Sequence, residues 1–220
     1  MFKSLQETFV HKNTHLPIPS LKAIRGRALA LSAIKPVVYH CCKNSCICCA
    51  GYLSELAQCL HCNALQLNSS GNPYSTFQHI PLIPQLLALY CNPTTAELLK
   101  YRANYKSNNS TIKDIYDGNR YRELCNSYVT MDDVKQSYRF FEDNCELALG
   151  LSLDGMCPFR RQKNTCWPII VINYGLPPDV RTHLHNIICT SVIPGPYSPK
   201  DLNSFLQPLI DKLLELAEGV

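Results

Sequence analysis

"LALGLSLDGMCPF", residues Leu147 to Phe159, decides how the second half of this chain is read. Leu147, Leu149, Leu151 and Leu153 alternate with Ala148, Gly150 and Ser152, the period of two that marks a half-buried strand. The strand runs into Asp154-Gly155, a dipeptide that commonly forms a turn. A carboxylate at that place is either a turn former or one of the several acids that hold divalent ions in phosphodiester chemistry.

The residues that follow extend the pattern. "CWPIIVINY", from Cys166 to Tyr174, is apolar and rich in β-branched side chains, and reads as a second strand. The middle of "THLHNIICTSVIPGP", Thr182 to Pro196, reads as a third. Residues 145 to 195 are therefore expected to form three antiparallel strands. A helix from Pro199 to Ala217 should follow, because Leu202, Phe205, Leu206, Leu209, Leu213 and Leu216 keep helical spacing. Ser198 is its expected N-cap, with Asp201 three residues later, and Pro208 should kink or break it.

Upstream, three further sections differ in texture. Residues 1–35 form a basic arm, with six Lys/Arg against the single acid Glu7. Residues 36–72 hold a cysteine cluster and end in "NSSGNP", which reads as a linker. Residues 73–144 read as mainly helical: "LIPQLLALY", "TTAELLKYR" with Thr94 or Thr95 as cap, and "MDDVKQSYRFFED" have helix-favouring composition. The fold class expected is thus α+β.

The formal net charge of +4 comes from the arm, since residues 36–150 carry nine bases and ten acids and residues 151–220 six of each. A basic arm suits an anionic partner such as DNA, or is only a solvated tail. The first twenty residues lack the apolar core and cleavage site of a secretory signal. No run of about 18 apolar residues is present, so no membrane partner is expected. An intracellular location, with reduced thiols, follows as the expectation.

Thirteen cysteines are then conspicuous. Cys42 and Cys46 have three residues between them, Cys59 and Cys62 two, and twelve residues separate the pairs. Tetrahedral zinc accepts two such pairs. Cys41, Cys48, Cys49, His40 and His61 are surplus candidates, and reduced thiols without metal or a disulfide framework are the alternatives. Cys91, Cys125, Cys145, Cys157, Cys166 and Cys189 are scattered singly and read as small buried hydrophobes.

"LALGLSLDGMCPF", "TCWPIIVINYGLPPDVR", "VIPGPYSPKDLNSFLQPLIDKLLEL" and "CCKNSCICCAGY…CLHC" together resemble the transposases of CACTA-type DNA transposons, in the form known from fungi and plants. "FQHIPLIPQLLALY", "AELLKYR" and "DIYDGNRYREL" extend the likeness, which covers about Arg25 to Val220. The resemblance implies a ribonuclease-H-like catalytic fold that uses three acids, of which Asp154 matches the first. It implies that Cys42, Cys46, Cys59 and Cys62 form a small zinc element, and that the protein works on DNA in the nucleus. Arg160, Arg161 and Lys163, between the first two strands, meet either phosphate or only solvent.

Members of that family are several times longer, and the strand expected to supply the second acid does not appear before Val220. The expectation is therefore a truncated transposase, an N-terminal fragment with an incomplete catalytic site. Magnesium would bind only if that site were completed, and DNA cleavage is not expected. Asp114, Asp117 and Asp179 have no motif that recommends them as replacements. A zinc-dependent module that binds nucleic acid, a full-length transposase or itself is the alternative. An unrelated metalloenzyme that uses the cysteine cluster and the His183/His185 pair is a weaker one, because no carboxylate lies beside the histidines.

Overall fold

The structure is a computed structural model that describes residues 19–32, 34–107, 111–131, 133–158 and 165–219. Contacts divide the chain into two units, Met1–Pro36 and Val37–Val220. In the first, helix α1 (Leu21–Ser32) is exposed along its whole length and carries Lys22, Arg25 and Arg27.

The second unit is organised by one six-stranded sheet. Its strands are β1 (Val37–Cys41), β2 (Cys48–Cys49), β3 (Ser75–His79), β6 (Leu149–Leu153), β7 (Cys166–Asn173) and β8 (Ile188–Pro194). They lie in the order β2-β1-β3-β8-β7-β6, and every neighbouring pair is antiparallel. The three C-terminal strands expected within residues 145–195 thus form, and are antiparallel. The cysteine segment is not a separate body, however, because β1 and β2 extend the same sheet. "NSSGNP" is accordingly a turn and not a linker: the Asn68 side chain accepts from the N–H groups of Ser70 and Asn72 at 2.9 and 3.0 Å.

Residues 73–144 are less helical than their composition suggests. β3 was not expected, although its Phe77 is fully buried. Three helices follow it, α2 (Leu82–Tyr90), α3 (Pro93–Leu98) and α4 (Tyr101–Asn104). The cap of α3 is Asn92 rather than either threonine; its side chain accepts from Thr94 N at 2.9 Å, and Pro93 takes the first helical position. A 3-10 turn at Ile115–Asp117 leads into α5 (Asn119–Asn126).

"MDDVKQSYRFFED" is a hairpin, not a helix. β4 (Tyr128–Met131) and β5 (Val134–Arg139) pair with Met131 opposite Val134. Asp133 has φ 62°, a left-handed conformation that aspartate tolerates and tight hairpin turns require. Lys135 Nζ lies 4.0 Å from the ring centroid of Tyr128, which adds a cross-strand cation–π contact.

The last helices are α6 (Pro178–Arg181) and α7 (Leu202–Glu218). α7 starts three residues later than expected. Lys200 N and Asp201 N both donate to Cys46 O, which holds this stretch against the cysteine loop, and Asp201 becomes the cap by accepting from Ser204 N. The helix runs through Pro208 without a break. It packs with α2 against the sheet: Phe77, Leu82, Leu86, Ile169, Ile193, Phe205 and Leu209 are buried together. Phe77 and Phe205 meet edge to face, with centroids 5.2 Å apart, and each buried ring contributes about 1.5–3 kcal/mol from burial.

Candidate metal centre and the strand-end aspartate

Cys42, Cys46, Cys59 and Cys62 converge. Their sulfur atoms all lie within 4.8 Å of one another, and no other group of three or more ligand side chains occurs among the described residues. Two similar turns bring this about. In each, the leading cysteine donates its N–H to the carbonyl five residues on: Cys42 to Ile47 at 3.0 Å, Cys59 to Ala64 at 2.9 Å. In each, the N–H two residues on points at the leading sulfur, from Asn44 to Cys42 and from His61 to Cys59, both at 3.4 Å. Ser45 and Asn63 complete the turns in the left-handed region, with φ 60° and 53°.

The donor set fits zinc. With Zn–S bonds of about 2.3 Å, four sulfurs round one ion stand about 3.8 Å apart. The 4.8 Å limit asks only a small contraction, and Cys42 and Cys62 are already at 3.4 Å. A disulfide needs about 2.05 Å, and all the cysteines are free. The N–H groups favour thiolate. That of Ala64, helped by the Asn44 side chain and opposed by burial, brings the Cys62 thiol down to about 6. Burial pushes Cys46 and Cys59 up instead, with the His61 N–H opposing it at Cys59. Several thiolates in so small a space repel one another, so a cation is what lets them all ionise.

Of the surplus candidates, Cys49 lies beside Cys42 and Cys59 without joining the converging set, and His61 contributes its backbone N–H, while the others are placed elsewhere. Cys41 and Cys48 are fully buried in the main core. His40 Nδ1 lies 3.4 Å from Gln66 Nε2. The six scattered cysteines are not buried hydrophobes: Cys91, Cys145 and Cys157 are exposed, and the other three are half-buried. His183 and His185 stand in an exposed turn after α6 and not on a strand, since the chain bends there to return as β8.

The cysteine turns are tied to the far end of the chain. Ser45, with 1% of its surface exposed, directs its hydroxyl to the carbonyls of Pro194 and Gly195. Cys48 N donates to Ser204 Oγ at 2.9 Å. Together with the Cys46 carbonyl, these contacts fasten the β8–α7 junction to the centre.

Asp154 lies immediately after β6, at the edge of the sheet, and is exposed. Its Oδ1 accepts from Gly155 N at 2.7 Å, and the chain does not turn there but pairs again at Met156 with Cys166. Gly155 is required where it stands, because an added Cβ would fall 2.6 Å from Trp167 Nε1. Asp154 belongs to no cluster of three or more ligand groups among the described residues. Arg160, Arg161 and Lys163 lie outside the described residues.

Two acids that carry no motif for catalysis prove to be structural. Asp114 receives both terminal nitrogens of Arg181 at 2.8 and 2.7 Å, in a pair almost wholly buried. Asp117 accepts from Tyr105 OH, Ser107 Oγ and Lys113 N. The Asp-x-x-Asp spacing of a capping box was the one local signal for them.

Residues 121–220 match the family model described as Transposase family tnp2. The match supports a transposase family for that part of the chain; it takes in β4 to α7 and Asp154, and leaves the cysteine turns outside. No curated protein and no solved structure matches the chain. Among the described residues no helix is long and apolar enough to cross a membrane.

Proposed function

We propose that these residues belong to a transposase of the CACTA type, with a structural zinc centre at Cys42, Cys46, Cys59 and Cys62 and the first acid of a ribonuclease-H-like catalytic site at Asp154. The observation that carries the reading is the position of Asp154. It is an exposed carboxylate at the end of an antiparallel strand, inside the segment that matches transposase family tnp2. The four thiolates would fill every position of a tetrahedral zinc, which makes that centre structural and not catalytic.

In strand transfer, divalent ions held by several carboxylates activate the attacking oxygen and stabilise the leaving one. Magnesium keeps a near-octahedral oxygen shell and gives up its waters reluctantly, so one carboxylate is a poor site for it. Asp154 belongs to no cluster of three or more ligand groups among the described residues. DNA is the proposed partner, met first by the basic arm, and the nucleus the proposed location. Binding without cleavage is the activity proposed for these 220 residues, because Asp154 belongs to no such cluster among the described residues.

Two measurements test this. The purified protein should carry one zinc per chain, and a zinc-free folded protein refutes the centre. It should retard duplex DNA in a salt-dependent way and leave it uncut with Mg²⁺ or Mn²⁺. Nicking that disappears in Asp154→Asn would show a complete active site and overturn the non-cleaving reading.

A further inference from the structure

A second concentration of unusual chemistry lies between α4 and α5. A cavity of about 280 Å³ opens there, walled by Tyr105, Tyr116 and Tyr121, with Arg102 and Arg122 also lining it. The walls are rigid. Tyr116 packs against Tyr105 and Tyr121 with centroids 5.4 and 4.7 Å away, and its hydroxyl donates to Tyr174 O at 2.6 Å. Tyr121 in turn leans on Phe141 at 5.2 Å.

Arg102 is the telling residue. Only 6% of its surface is exposed, yet no carboxylate among the described residues pairs with it. Arg181, equally buried, has Asp114. Arg102 instead donates to the carbonyls of Glu146, Phe141 and Asp143, and stacks 5.3 Å from the Phe141 centroid. Those bonds fix its orientation and use three of its five N–H groups, but leave its charge without a counter-charge. A buried guanidinium in that condition is costly, and an incoming anion relieves the cost. Arg122, on the exposed rim, makes one weak side-chain contact among the described residues, to Ser107 Oγ at 3.4 Å.

Pockets for drug-sized ligands span about 300–1,000 Å³, so this cavity suits a smaller group. Aromatic walls select a planar ring, and guanidiniums select an attached negative charge. We propose that the cavity is a nucleotide pocket, which takes one unstacked base of a single strand and meets its phosphate with Arg122 in the field of Arg102. The pocket is distinct from the cysteine centre and from Asp154. It rests on the DNA reading only for the source of the nucleotide.

The test uses the full chain and a single-stranded oligonucleotide bearing one 2-aminopurine, whose emission falls when the base stacks on aromatic rings. Saturable quenching is expected, with adenosine 5′-monophosphate competing and adenosine, which lacks the phosphate, competing about tenfold less well. Arg122→Glu should weaken quenching at least about tenfold and leave the thermal unfolding curve in place. A flat titration with the wild type, or quenching unchanged in Arg122→Glu, overturns the pocket. Duplex retention measured in parallel separates the two readings. Retention without quenching sinks the pocket and spares the DNA partner; quenching without retention does the reverse.

Discussion

Stripping the cysteine centre with a chelator should loosen the start of α7 together with the cysteine turns themselves. The segment from Cys42 to Cys48 meets the β8–α7 junction through four separate ties: Ser45 Oγ to Pro194 O, Lys200 N and Asp201 N to Cys46 O, and Cys48 N to Ser204 Oγ. At a net ~0.5–1.5 kcal/mol each, they contribute about 2–6 kcal/mol. That is a large part of the ~5–15 kcal/mol that holds a domain folded. The ties last only while the loop keeps its shape, and the loop keeps its shape while four sulfurs converge. Hydrogen–deuterium exchange reads this directly. On metal removal, or in Cys59→Ser, the amides of Lys200, Asp201 and Ser204 should exchange at least about 30-fold faster, the factor that 2 kcal/mol corresponds to. Falling pH should act in the same direction, because protons compete with metal for the thiolates. Acceleration confined to residues 42–64, with those three amides unchanged, would refute the coupling.

Arg181→Met leaves the Asp114 carboxylate buried and unpaired, and should cost about 3–5 kcal/mol in urea unfolding. Asp114 and Asp117 set the acid limit of stability. Burial works against ionised Asp114, but the Arg181 fork and Ile115 N–H prevail and hold it below the ordinary 3.8; the Ser107 and Tyr105 hydroxyls hold Asp117 lower still. Their stabilising effect is complete above that ordinary value and is lost as pH falls through the depressed ones, so unfolding should set in below about pH 4 and the pH dependence should flatten in Asp117→Asn. Gly155→Ala places a Cβ 2.6 Å from Trp167 Nε1 and should destabilise by about 1–3 kcal/mol, with a shift in the emission of the single tryptophan.

What was legible in the sequence is what local spacing encodes. Period two from Leu147 to Leu153 and helical spacing from Leu202 to Leu216 each gave an element of the right kind. The cysteine spacings identified the four residues that converge, but left Cys41 and Cys48 open as substitutes until the fold buried them in the main core. Four features left too little local trace. β3 is short, and its partners lie far along the chain. The β4–β5 hairpin hides in a charged stretch, where Val134, Gln136 and Tyr138 already alternate and Asp133 takes the left-handed position. The caps at Asn92 and Asp201 were obscured by nearer-looking hydroxyls, Thr94 and Ser198. The buried Asp114–Arg181 pair joins residues 67 positions apart and is a matter of packing alone.

β3 joins β8 through a single registered pair, His79 opposite Ser191, and those residues are 112 apart in the chain. A ribosome adds about 5–20 residues per second, so β3 emerges roughly 6–22 seconds before its neighbour exists. During that interval Phe77 lacks Phe205 to cover it, and one row of β3 backbone groups stands unpaired. An open edge beside an apolar face is a template for association with other chains. The sheet is thus most vulnerable while it is being made, and slower translation of residues 80–191 should lower the soluble yield.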